Sequence, residues 1–305
     1  MLTTTRTTQR CPKCGNENRA TNYVCTFCGK RLRIEAIERI YFLKRIEEEW
    51  AAPYPWYLKW LYLFTNSPRA FWDINHMRKK APGNTIFWVI VLLYAFSWMV
   101  LFSHFQVPGY YAEANLYWVP WMGFIAGFVF GMFYHFLFFQ VLIWLFSKGA
   151  NYAVDYSEKL ESRFGKRKQE KIEAYDEAHM SPFSIYKGGV LQQQQAHKRK
   201  MMLCAFIPFI IVYFLEIIII AVALPYNIIM DDVGLAIVFK ENYGVWAVIY
   251  GIESLAIMLW VPALMAIAIR ELSNSSTYRV VISSYIVGAL IAVFYFFLRP
   301  VFLIY

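Results

Sequence analysis

The stretch "TIFWVIVLLYAFSWMVLFSHF", residues 85–105, decides the fold class. It contains no Asp, Glu, Lys or Arg. As a helix it is long enough to cross a hydrocarbon core of about 30 Å, which takes about 20 helical residues. Four more stretches have the same length and character, running approximately from Trp118 to Phe146, Met201 to Leu224, Val245 to Ile269 and Val280 to Leu298. Trp88, Tyr110, Tyr111, Tyr117, Trp118, Trp121, Tyr226 and Tyr243 crowd their ends, as amphipathic rings do at the headgroup level. The chain is 59% hydrophobic, well above the usual share in soluble domains. These features predict an all-α membrane protein with five transmembrane helices.

Orientation follows from where the basic residues fall. Of the 30 Lys and Arg, 15 precede the first span, 11 lie in the loop 147–200, and Arg270 and Arg279 flank the short fourth loop. Only Lys240 and Arg299 fall on the other side. The positive-inside rule therefore predicts a cytosolic N-terminus and an outer C-terminus. It also accounts for the net charge of +9, so no nucleic acid is required as a partner. The first forty residues are polar and carry no apolar signal-peptide core, which agrees with an N-terminus that stays inside.

Ahead of the spans, "CPKCGNENRATNYVCTFC" places Cys11/Cys14 and Cys25/Cys28 as two Cys-x2-Cys pairs ten residues apart. That is the spacing of a zinc ribbon, occupying residues 1–32. Gly15 and Gly29 follow the second cysteine of each pair, where a knuckle turn often needs positive φ. Four thiolates fill a tetrahedral zinc and leave no open position, so one structural ion is expected rather than a catalytic one. The fifth cysteine, Cys204, lies in an apolar run and reads as a small buried hydrophobe.

Residues 33–83 read as a cytosolic amphipathic and interfacial segment, and 84–305 as the five-helix domain with its cytosolic loop 147–200. In "RLRIEAIERIYFLKRIEEEW" the apolar residues gather near one side of a helix over 33–50. "WYLKWLYLF" is too short to span and reads as interfacial. "NSPRAFWDINHMRKK" predicts a short surface helix with Ser67 as N-cap, Pro68 at its first position and Arg78, Lys79 and Lys80 at the headgroups of an anionic inner leaflet. The loop 147–200 reads either as solvated or membrane-parallel helix or as a docking element.

Gly123, Gly127 and Gly131 recur every four residues in the second span. This is a stripe for close helix packing, within the chain or in a homo-oligomer. His135, Glu216 and Glu253 are ionisable groups inside the second, third and fourth spans, with His104 closing the first. Such groups in a bilayer are functional hypotheses by default. The trio reads as a hydrogen-bonded clasp or, alternatively, as the proton or cation site of a small transporter or channel. Pro208 and Pro262 are candidate kinks. No His-Glu-x-x-His, Gly-x-Ser-x-Gly, P-loop or dinucleotide fingerprint occurs, so an enzyme is not expected.

Four stretches resemble the Yip1-domain membrane proteins: "NSPRAFWDI" before the first span, "LFSKGAN" closing the second, "AFIPFIIVYF" in the third, and "LWVPALMAIAIRELSNSSTYRVVISSYIVGALIAVF" across the last two. The resemblance covers about residues 61–300. The string "NLYWVP" at 115–120 departs from the eukaryotic members' motif in lacking a Gly-Pro pair, and the second cytosolic loop is longer. An N-terminal ribbon is more similar to prokaryotic, especially archaeal, members. The resemblance implies a non-enzymatic scaffold or adaptor tied to membrane organisation or trafficking, with small GTPases among family partners. Its location would be the cell membrane in a prokaryote, or Golgi and ER in a eukaryote.

Overall fold

In the computed structural model, residues 8–19, 22–28, 30–46, 54–76, 81–106, 112–164, 197–225, 228–229, 242–273 and 275–304 are described. Five helices are long and apolar enough to cross a membrane: Gly83–Ser103, Tyr117–Tyr152, His197–Ala223, Tyr243–Ser273 and Thr277–Phe297. They fit a multi-pass integral membrane protein. The second belongs to a longer helix, Ala112–Phe164, that continues beyond the span. At one end of the bundle the last two spans meet the segment that follows the cysteine module, and the starts of the first and third spans approach each other at Gly83 and Lys200. At the other end the strand β3 (Phe105–Gln106) pairs in parallel with β4 (Ile228–Ile229), and the Ile228 N–H donates to the His104 carbonyl at 2.8 Å, tying together the exits of spans one and three.

The prolines shape two spans. Pro208 has no N–H to offer the preceding turn, so the third span, helical from His197, tightens into a 3-10 turn at Cys204–Phe206 and resumes as α-helix from Pro208. Pro262 follows a π-helical turn, Ala256–Trp260, in the fourth span. There the fifth span approaches closely: a Cβ on Gly288 would lie 2.3 Å from Pro262 Cγ and 3.0 Å from the Ile257 carbonyl oxygen. No side chain but hydrogen fits.

The glycine stripe has the same logic. Added Cβ atoms on Gly123, Gly127 and Gly131 would come within 2.6 Å of Phe102, Trp98 and Tyr94, so each glycine seats one aromatic side chain of the first span. Spans one and two thus lock backbone against ring within one chain. Below the stripe, Phe139 and Phe206 stack with centroids 4.1 Å apart and anchor the main core with Ile86, Ile90, Phe146, Phe209 and Leu264. An offset or stacked aromatic pair adds about 0.5–1.5 kcal/mol beyond its buried area.

Several local expectations are corrected. Residues 33–46 form no single amphipathic helix; they run as a strap with two 3-10 turns, Ala36–Arg39 and Tyr41–Leu43. The reason is that Glu38 and Arg45 turn inward as buried charges, which a membrane-parallel helix cannot accommodate. The short helices α1 (Trp56–Thr65) and α2 (Ser67–His76) follow. Helix α1 has inverted polarity: Trp56, Tyr57 and Leu61 are exposed, whereas Lys59 is fully buried with its Nζ 2.8 Å from Asp73 on α2. Helix α2 is no surface helix either, since Ala70, Phe71 and Ile74 are wholly buried against the fourth span. Ser67 does not cap it; its hydroxyl donates back to the Leu63 carbonyl at 2.6 Å, and the cap position falls to Asn66, whose carbonyl receives the Ala70 N–H at 3.1 Å. Arg78, Lys79, Lys80 and most of the loop 147–200 lie outside the described residues.

Replacing Gly127 by Leu forces Trp98 and Ala95 away and should destabilise the bundle by about 1–3 kcal/mol, as overpacking does. Thermal unfolding in mild detergent, compared with wild type, measures it.

Candidate metal centre and its anchorage

The cysteine module begins with a short antiparallel pair, β1 (Thr8–Arg10) and β2 (Glu17–Arg19), in register Gln9 with Asn18. The chain reverses between them at the first knuckle, where Gly15 takes φ +73. The Gly15 N–H donates to the Cys11 carbonyl and the Cys11 N–H to the Asn16 carbonyl, both at 2.9 Å. The second knuckle closes through the Cys25 N–H to the Lys30 carbonyl at 2.8 Å, next to a bridge between Val24 and Arg31. Gly29 lies outside the described residues.

The two knuckles bring all four Sγ atoms within 4.8 Å of one another. The cross-knuckle distances are 3.5 Å for Cys11–Cys28 and 3.7 Å for Cys14–Cys25. Sulfurs at the corners of a tetrahedron with metal bonds of about 2.3 Å stand about 3.8 Å apart. The set therefore fits a tetrahedral thiolate site and can hold a metal ion. Asn18, nearly buried, supports it: its amide N–H donates to Cys25 Sγ at 3.4 Å, and its carbonyl oxygen accepts from the Thr26 N–H at 2.9 Å and the Thr26 hydroxyl at 3.1 Å. Asn18 is not legible in the sequence, because one asparagine in a polar loop carries no signal by itself.

The electrostatics divide the thiols. Burial opposes the Cys25 thiolate, yet the N–H groups of Cys28 and Phe27 and the Asn18 amide outweigh it and bring the thiol down to about 6. Cys28 accepts the Lys30 N–H, but burial and the three neighbouring sulfurs push it up to about 12. Four sulfurs this close cannot all carry charge without a cation to share.

A second cluster, unforeseen in the sequence, anchors the module to the bundle. Glu38, almost fully buried, accepts from the Arg45 Nε at 2.8 Å and the Thr277 hydroxyl at 2.7 Å through one oxygen, and from Arg31 through the other. Arg45 also donates to the Ser275 carbonyl. Arg270, at the end of the fourth span and fully buried, donates to the strap carbonyls of Leu43 and, at 3.0 Å, Lys44, while its Nε lies 3.3 Å from Glu271. Glu35 caps the fifth span from outside: it accepts the Ser276 hydroxyl at 2.6 Å and the Tyr278 N–H at 3.0 Å. Ser276 in turn accepts the Arg279 N–H at 3.3 Å. A carboxylate there suits the positive end of the helix. The charges at positions 31, 38 and 45 recur every seven residues, a spacing that also describes a solvated helix face, so the pattern was ambiguous.

The intramembrane polar residues form a separate network. His135 Nδ1 donates to the Gly131 carbonyl at 2.7 Å, since a carbonyl can only accept. In a neutral ring its Nε2 then accepts from the Tyr213 hydroxyl at 2.6 Å. Tyr134 donates to Tyr295 at 3.2 Å and Tyr295 to Glu253 at 3.1 Å. Glu216, on the turn after Tyr213, lies within electrostatic reach of Tyr295. Tyrosine hydroxyls from three spans thus sit between the histidine and the carboxylates. Among the described residues only the four cysteines form a group with metal-ligand separations; His135, Glu216 and Glu253 do not.

No family model, no curated protein and no solved structure matches this chain.

Two outcomes are expected. Purified protein should carry one divalent ion per chain by elemental analysis, and Cys14→Ser should lose it. Burial raises Glu38, but Thr277, Arg45 and Arg31 overcome that and hold it below its ordinary 4.5. Its stabilising share is therefore complete above pH 4.5 and is lost as pH falls through the lower folded value. The unfolding temperature should drop in that acidic window, and Glu38→Gln should flatten the dependence.

Proposed function

We propose that this protein is a non-enzymatic membrane adaptor resembling the Yip1-domain proteins, with a cytosolic zinc ribbon as its protein-contact module. The observation that carries the reading is the contrast between the two faces of the module. One side, joined to the strap through Arg31 and Tyr23, is held to the last two spans by the strap's Glu35, Glu38 and Arg45 and by Arg270. The other presents Phe27, in the loop of the second knuckle, with 77% of its surface exposed. A large aromatic presented to solvent is a costly arrangement for a folding staple alone and a useful one for recognition, since binding energy concentrates in aromatic anchors. The N-in, C-out orientation derived from the basic residues puts that tip in the cytosol, where thiolates stay reduced. Anionic lipids of the inner leaflet and cytosolic proteins are its proposed partners, with small GTPases suggested by the family resemblance.

The intramembrane network is read as a clasp. Glu253 is fully buried and meets a tyrosine hydroxyl, and His135 is fully buried between a carbonyl and another tyrosine. A transporter built on His135, Glu216 and Glu253 would instead need these groups to exchange ions with water.

The test is affinity purification from native membranes with wild type, Cys11→Ser/Cys14→Ser and Phe27→Ser, with metal content measured on each. The adaptor reading expects Phe27→Ser to keep its metal and lose the partners that the double cysteine variant loses. Full recovery of every partner by both variants would overturn it, and a proton or cation flux abolished by Glu253→Gln would favour the transporter.

A further inference from the structure

We propose that metal occupancy at the four cysteines sets the position of the turn between the fourth and fifth spans, making the protein a responder to a thiophilic divalent cation. The inference rests on the reading that Cys11, Cys14, Cys25 and Cys28 hold a metal, and it does not require that the module recruit partners.

The route is short and physical. A module of some twenty residues has too little core to hold its shape without the metal's binding energy, so its conformation follows occupancy. Two of its residues, both adjacent to the second knuckle, reach the anchoring cluster. Arg31 is fixed by its backbone bridge to Val24, the residue before Cys25, and its guanidinium donates to Glu38. Tyr23 accepts the Leu32 N–H at 2.9 Å through its carbonyl, and its ring lies 5.1 Å from the Arg45 guanidinium carbon. Thus the metal site holds one charged donor of Glu38 directly and steadies the other through a ring face.

Glu38 is where the signal crosses to the membrane domain. Its carboxylate is nearly inaccessible to water and depends on Arg31, Arg45 and Thr277. A buried carboxylate deprived of a charged donor cannot stay where it is, because water is absent to replace the bond. The strap that carries it also carries Glu35, three residues back, whose carboxylate holds the Ser276 hydroxyl and the Tyr278 N–H at the head of the fifth span. Loss of the knuckle therefore uncaps that helix.

The fifth span is built to respond. It buries far less of its surface in the bundle than the fourth does. At mid-helix, Gly288 meets Pro262 and the Ile257 carbonyl in a narrow crossing at the π-helical turn, and Val287 faces Gly149 of the second span. With Gly288 and the Tyr295 bonds to Tyr134 and Glu253 holding the rest of the helix, release of the head loosens its first turns. The Arg270 bonds to the strap carbonyls of Leu43 and Lys44 lie on the same strap and would slacken with it.

The test is hydrogen–deuterium exchange of the full chain in lipid nanodiscs, zinc-loaded and after chelation, with metal content measured on the same samples. Chelation should raise exchange about tenfold or more at the amides of residues 277–282, while the interior of the first span stays protected. Re-addition of zinc should reverse the change. Arg31→Ala separates the route from general unfolding: it leaves all four ligands, should retain the metal, and should show the raised exchange at 277–282 with the metal bound. Unchanged exchange at 277–282 in the chelated protein, or in metal-loaded Arg31→Ala, would overturn the proposal. Absence of bound metal in wild type would overturn the metal reading itself and is read separately, from the elemental analysis; partner recovery by Phe27→Ser bears only on the adaptor reading.

Discussion

A carboxylate removed from water must be surrounded by donors, and at Glu38 those donors come from three different elements, two of them seven residues to either side and the third 239 residues away. Arg31 belongs to the cysteine module, Arg45 to the end of the strap and Thr277 to the first turn of the fifth span. Desolvating an ion costs several kcal/mol, so the arrangement holds only when all three are in place. The strap's path, the cap of the fifth span and the seat of the module all depend on this one requirement. Arg270 enforces it from the fourth span, because its own buried guanidinium is satisfied mainly by strap carbonyls.

The same rule of compensated burial recurs elsewhere in the molecule. Helix α1 turns Trp56, Tyr57 and Leu61 outward and Lys59 inward, which would be backwards in a soluble protein. Beside a bilayer it is sensible: the rings suit the interface, and Lys59 finds Asp73 on α2 at 2.8 Å. Within the spans, His135 and Glu253 meet tyrosine hydroxyls, so polar groups in the bundle are joined by bonds that bind spans two, three, four and five. Glycine supplies the complementary device, letting Tyr94, Trp98 and Phe102 of the first span press against the backbone of the second.

How much of this was legible in the sequence depended on the range of the signal. The five spans were readable because each is a continuous apolar run, and their observed limits differ from the expected ones by only a few residues at most ends. The cysteine quartet was readable because its spacing is local, and the four sulfurs do converge. From sequence the strap reads as a helix because Arg31, Glu38 and Arg45 look like a solvated stripe until Thr277, 239 residues from Glu38, supplies a partner. Helix α2 reads from sequence as a surface helix because its charge pattern hides that Asp73 points inward to Lys59. Arg270 reads from sequence as one of the basic residues that orient the chain, and nothing local distinguishes it as a buried donor. Composition reveals which residues suit a bilayer; it does not reveal which charges are shared across a fold.

The central claim is that Glu38 couples the strap to the fifth span. It is tested most directly by a double-mutant cycle between Glu38→Gln and Thr277→Val, read as unfolding free energy of the full chain in detergent. The account predicts a coupling energy of about 1 kcal/mol or more, within the range found for residues sharing one buried network. Effects that add to within about 0.3–0.5 kcal/mol, as independent sites do, would contradict it.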